Sequence, residues 1–83
     1  MRHARPPDLE PVAGLLIELR TVPGLTERAP GTFSWRSRAF LHFHADGDEL
    51  FADVKVEGEF IRMRVTTAVE QDALLAVARR YAS

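Results

Sequence analysis

The chain has 83 residues, of which 46% are hydrophobic and 28% charged, ordinary values for one small globular domain and too apolar for a disordered one. It contains no cysteine, which excludes disulfide staples, zinc ribbons and thiol nucleophiles. Eleven basic residues stand against twelve acidic ones, so nothing pulls the whole chain toward nucleic acid or anionic membrane, and no apolar run approaches the roughly 20 residues of a membrane span.

Met1 to Pro7 lacks apolar periodicity and a signal-peptide pattern, carries Arg2, His3 and Arg5, and closes on Pro6-Pro7. It reads as a flexible tail, with residues 8–83 as a single α+β domain. Asp8 has the chemistry of an N-cap, and Leu9, Val12, Leu15, Leu16 and Leu19 recur at three and four, so a helix is expected from Asp8 to about Thr21, before Pro23-Gly24. From Leu25 to Val65 the pattern is one of strands and turns. Leu25 to Arg28, Thr32 to Trp35, Ala39 to Ala45, Leu50 to Val56 and Phe60 to Val65 are the strand segments. Arg36-Ser37-Arg38 reads equally as a tight turn or as a continuation of one long strand. Thr67-Ala68-Val69-Glu70 is a capping box and opens a final helix whose inward stripe is Leu74, Val77, Ala78 and Tyr81. The expected architecture is α+β: helix, antiparallel meander of four or five strands, C-terminal helix, with both helices on one sheet face.

Hydrophobic alternation fixes two hairpin registers. A four-residue loop at Asp46–Glu49 sets Ala45 opposite Leu50, Phe43 opposite Ala52 and Leu41 opposite Val54. A two-residue turn at Glu57-Gly58 sets Val54 opposite Ile61, Ala52 opposite Met63 and Leu50 opposite Val65. A slip of one residue would drive Arg62 and Arg64 into the core. The other face then carries the rows His42–Asp53–Arg62, His44–Phe51–Arg64 and Phe40–Lys55–Phe60. Phe40, His42, His44, Phe51, Asp53, Phe60, Arg62 and Arg64 are therefore the candidate binding face. A solvated face with one ion pair is the plain alternative, but three phenylalanines ask for a cover: the proline-bearing tail, a second subunit or a ligand.

Three sharper chemistries can be weighed on that face. His42 and His44 stand two apart on one strand and Asp53 lies opposite, so these three are the candidate metal ligands, with His3 the only other histidine. A metal-dependent hydrolase would use the same three. An imidazole beside a carboxylate is half of a catalytic triad, but no nucleophile elbow, phosphate loop or dinucleotide fingerprint accompanies it, and Ser34 and Ser37 are the nearby hydroxyls. Arg62 and Arg64 among the phenylalanines have the composition of a nucleic-acid stacking platform, which Asp46, Asp48, Glu49, Asp53, Glu57 and Glu59 oppose.

Phe33, the His42-Phe43-His44 strand, the glycine-containing turn, Leu50 and Asp53-Val54 together resemble a small bacterial family named for a luciferase domain, over residues 25–56. The order of elements is also similar to that of MmcQ/YjbR-like proteins, whose fold suggests DNA binding. After Val65 the chain departs from both, running into a helix where they have a tryptophan-bearing strand. The first resemblance implies a bacterial cytoplasmic domain of unassigned function, with His42, His44 and Asp53 as the positions of interest. No cofactor is expected, since nothing in so short a chain could hold a flavin or luciferin by itself. The reading favoured by the residues is a non-enzymatic module that binds a protein, a second copy of itself as a homodimer, or a small ligand, in preference to nucleic acid and with no role at a membrane.

Overall fold

The computed structural model describes residues 1–82. In chain order these form strand β1 (Arg2–His3), a 3₁₀ helix (Pro6–Val12), α1 (Ala13–Arg20), β2 (Leu25–Ala29), β3 (Thr32–Trp35), β4 (Arg38–Asp46), β5 (Glu49–Val56), β6 (Glu59–Arg64) and α2 (Ala68–Tyr81). The six strands make one antiparallel sheet, with β2 to β6 in meander order and β1 beside β4. None of the described helices is long and apolar enough to cross a membrane.

The expected helix from Asp8 is corrected in its first half, which is 3₁₀. Pro6, Pro7 and Pro11 have no N–H to donate, and Pro11 also obstructs the carbonyl four residues back, so a regular α-helix starts only beyond it. Asp8 lies inside the 3₁₀ segment rather than at its cap. Its carboxylate accepts the backbone N–H of Arg5 at 2.9 Å and pairs with the Arg2 guanidinium. The first seven residues also differ from a free tail, because Arg2 and His3 pair with Ala45 and His44 of β4. β1 occupies the stretch of β4 beyond the end of β3, and Phe43 joins the two: its N–H donates to the Gly31 carbonyl at 3.2 Å, and its carbonyl accepts from the Ala4 N–H at 3.0 Å. Gly31 (φ +73°) packs against Leu9, whose methyl carbons would lie 3.0 Å and 3.1 Å from a Cβ built there. A side chain would crowd this seam between the 3₁₀ helix and the sheet.

Both hairpin registers are as expected. Leu41↔Val54, Phe43↔Ala52 and Ala45↔Leu50 pair in the first, and Val54↔Ile61 and Ala52↔Met63 in the second. The Asp46–Glu49 loop tightens, since those two residues themselves pair and leave Gly47-Asp48 as the turn. Glu57 (φ +51°) and Gly58 (φ +85°) make the other turn with positive φ at both positions, the conformation that matches strand twist in a two-residue hairpin. Both helices cover one face: Leu15, Leu16, Leu19, Leu74 and Ala78 join Phe33, Phe43, Ala52, Val54 and Val65 in one buried cluster. The α2 capping box forms, with the Thr67 hydroxyl accepting from the Glu70 N–H at 3.2 Å and the Glu70 carboxylate accepting from the Thr67 N–H at 2.9 Å.

Residues 32–46 are a hairpin, turning at Arg36 (φ +50°) and Ser37 (φ +70°). Its ladder is interrupted: Phe33 pairs with Leu41 but Ser34 pairs with Ala39, which leaves Phe40 as the extra, bulged residue. The bulge re-aims Phe40 into the core, where it is 4% exposed. The expected row Phe40–Lys55–Phe60 is therefore corrected to the pair Lys55↔Phe60.

Candidate functional site

Strands β4, β5 and β6 place the rows His42–Asp53–Arg62 and His44–Phe51–Arg64 side by side on the face away from the helices. Directly opposite side chains stand about 5 Å apart, so Asp53 is within reach of both neighbouring strands. Asp53 is the centre of the arrangement. Arg62 grips its carboxylate with two parallel bonds, Nε to Oδ1 at 2.8 Å and a terminal nitrogen to Oδ2 at 2.9 Å. On the other side, Asp53 Oδ2 lies 3.3 Å from His42 Nε2 and 3.1 Å from His44 Nε2. The side chains of Asp53 and His44 are each only 14% exposed.

His44 Nε2 is the notable atom of this cluster. It is buried from solvent, and among the described residues no hydrogen bond satisfies it, although the Asp53 oxygen is near. Proximity without alignment means that the imidazole nitrogen is not directed along an N–H···O axis to that oxygen. Buried polar atoms are nearly always bonded, so an unsatisfied one calls for an explanation.

Electrostatics favour donors over charges here. Burial is the leading cause that pushes the His42 imidazolium pKa below its ordinary value, with the neighbouring His44 acting the same way and Asp53 opposing. The hydrogen bonds from Arg62 hold the Asp53 carboxyl below the usual carboxylate range. The result is a neutral imidazole next to a fixed carboxylate.

A third imidazole joins them. His3 of β1 pairs with His44 across the ladder, and its ring lies 5.0 Å from that of His44 and 5.5 Å from that of His42, centroid to centroid. The His42 and His44 rings are 4.7 Å apart, edge to face. His3 was not among the candidate face residues, because a two-residue strand carries no periodicity. The signal available was its rarity, one of three histidines in the chain.

The remaining candidates are distributed differently. Phe60 packs edge-on against the His42 ring at 5.3 Å and carries Lys55 over its own ring, yet it is 43% exposed. Phe51 is half-buried opposite His44. Arg64 is turned away, to Glu70 at 3.0 Å and Glu49 at 3.7 Å. Phe40 lies in the core. The structure thus brings together His42, His44, Asp53, Arg62 and Phe60, and adds His3. Comparison of the chain with family models, curated proteins and solved structures finds no match. The case for the site is its geometry.

Proposed function

We propose that the protein is a small-ligand-binding module whose ligand is a divalent transition-metal ion, held by His42, His44 and Asp53. The observation that carries this is the convergence of three donor atoms. Ligands bound to one tetrahedral ion at about 2.0–2.1 Å stand about 3.3 Å from one another. The two edges through Asp53 Oδ2, at 3.3 Å and 3.1 Å, already have that length, and the donor atoms of the three residues all lie within 4.8 Å of one another. The unsatisfied His44 nitrogen acquires a partner in this reading. Two imidazoles and one carboxylate suit zinc and other late first-row ions, whereas calcium and magnesium call for shells of oxygen. Arg62 then acts on the metal through Asp53, fixing the carboxylate as outer-shell partners do. Its charge is half open to water, which weakens its repulsion of a cation.

Hydrolysis by a serine nucleophile is disfavoured because Ser34, one of the two nearby hydroxyls, is buried and accepts a bond from Arg28 at 2.8 Å. Nucleic acid is disfavoured because Arg62 and Arg64 are both engaged by carboxylates. An NMR titration with zinc at neutral pH tests the reading. The ring resonances of His42 and His44 are expected to shift saturably at one ion per chain, and His42→Ala to abolish the shift of His44. Histidine resonances that zinc leaves unmoved overturn it.

One observation favours a second reading, self-association. The edge strand β6 exposes Phe60 and Ile61 at 43% and 42%, on opposite faces of an unpaired ladder edge. Light scattering at micromolar concentration tests this, and a clean monomer removes it.

A further inference from the structure

We infer that His3 is the fourth ligand of this ion, so that the metal clasps the N-terminal strand β1 onto β4 and closes the site. The inference rests on the metal reading above and concerns what the ion does to the fold.

Three imidazoles bound through ring nitrogens to one tetrahedral ion place their centroids about 5 Å apart, since each ring centre lies roughly 3.2 Å from the metal. The three separations observed are 4.7, 5.0 and 5.5 Å. This triangle is independent of the Asp53 distances and has the size that one shared ion requires. The His3 ring nitrogens stand outside the 4.8 Å group formed by the donor atoms of His42, His44 and Asp53, so ligation requires the His3 ring to turn about its side-chain bonds toward them. The backbone explains how His3 reaches it. His3 lies directly opposite His44 in the ladder, so the two side chains must leave the sheet on the same face. The Ala4 N–H donates to the Phe43 carbonyl at 3.0 Å and holds the register one residue further on.

β1 is otherwise weakly held. It has two residues, both exposed, and its anchors are that short ladder and the Arg2–Asp8 ion pair on the surface. Pairings of this length open readily, and surface ion pairs contribute little. A metal bond from His3 would change the balance for the whole segment ahead of the 3₁₀ helix. It would also fill the coordination shell. An ion held by His3, His42, His44 and Asp53 has four protein ligands, the closed pattern of structural sites, whereas a catalytic site keeps one position open. The metal in this arrangement is a fastener for β1.

The test compares the intact protein with His3→Ala, using zinc and, as a spectroscopic stand-in, cobalt. His3 is exposed, so its truncation leaves the core untouched. Zinc affinity, read by calorimetry, is expected to fall roughly tenfold or more in His3→Ala, at least the loss seen when a supporting group of a metal site is removed. The cobalt complex of the intact protein is expected to show the intense visible absorption of a four-coordinate ion with no bound water, and that of His3→Ala a weaker band. Zinc is expected to slow exchange of the Ala4 amide in the intact protein and to leave it fast in the variant. If the intact protein and His3→Ala bind with affinities within twofold and give the same cobalt spectrum, the fourth-ligand assignment fails while the metal reading stands. If the intact protein binds no zinc, the metal reading itself fails.

Discussion

Strands β4 and β5 present two faces that alternate residue by residue, yet the faces are finished in different ways. On the helix side, Leu41, Phe43, Ala45, Leu50, Ala52 and Val54 are sealed in a continuous apolar cluster. On the other side His42, His44 and Asp53 are only partly covered, and their contacts are an ion pair, edge-to-face and tilted rings and the two-residue strand β1. The magnitudes differ as much as the chemistry. Full burial of one large apolar side chain stabilises by about 1.5–3 kcal/mol, whereas a cross-strand polar pair contributes roughly 0.2–1 kcal/mol. An 83-residue chain has helix enough to seal one face. Folding is therefore secured on the helix side, which leaves the open face free to keep groups that fit binding better than stability.

The largest test of this division compares adjacent residues that point to opposite faces. Phe43→Ala removes a ring that is almost wholly enclosed and is expected to cost about 3–5 kcal/mol. His44→Ala, one residue on, is expected to cost about 1 kcal/mol or less, since the nitrogen it removes has no hydrogen bond to lose. Urea unfolding of both variants with a chelator present reads the two values. Equal losses would mean that the open face is as much a part of the folding core as the covered one.

The same division explains what was legible before the structure. The registers of β4, β5 and β6 followed from two facts: the sealed face tolerates only apolar residues, and the Glu57-Gly58 turn sets the offset. Once one face was known, the row His42–Asp53–Arg62 on the other needed no further choice. Phe40 escaped because its place depends on a bulge against β3, reached through a turn whose two positive-φ positions are Arg36 and Ser37. Without glycine at either position, Arg36-Ser37-Arg38 reads equally as a turn or as a continuation, and the slipped ladder beyond it leaves no mark in the sequence. His3 escaped for another reason. Its partner His44 is 41 residues further along the chain, and two residues cannot carry an alternation. The prolines at 6, 7 and 11 did carry a readable signal against a regular helix in that stretch, but the apolar spacing of Leu9 and Val12 outweighed it.

An intermediate effect is expected at the centre of the open face. Asp53→Asn keeps the shape and removes the charge that Arg62 and the imidazoles share. Hydrogen bonds to charged groups are worth about 1.5–3 kcal/mol, and half-exposure of Arg62 discounts this, so a loss of about 1–2 kcal/mol is expected. Zinc affinity is expected to fall by a larger factor than stability does, because the variant loses an anionic ligand. Calorimetric titration beside urea unfolding separates the two. A variant that loses stability while binding zinc as tightly as the parent would assign Asp53 to the fold alone.

The smallest effect is the dependence of stability on acid, to which only the open face contributes among the two faces of β4 and β5. Phe43 and its apolar neighbours do not titrate, whereas the open face has two groups whose folded pKa values lie below their ordinary ones, His42 through burial and Asp53 through Arg62. A depressed folded pKa means that the unfolded chain takes up the proton first, so each group's contribution is present above its unfolded pKa and lost as pH falls through the folded one. For His42 the loss begins below about pH 6.5, and for Asp53 below about pH 4. Asp8, Glu27 and Glu70 are depressed as well, so the parent's acid limb is a composite, and only differences between variants isolate one group. In chelator, His42→Ala is expected to flatten the upper part of the curve and Arg62→Gln the lower part. Phe43→Leu is expected to lower the whole curve without changing its slope. If Phe43→Leu altered the slope as His42→Ala does, the two faces would be coupled through the sheet, and the polar face could no longer be treated as an addition to a separately secured fold.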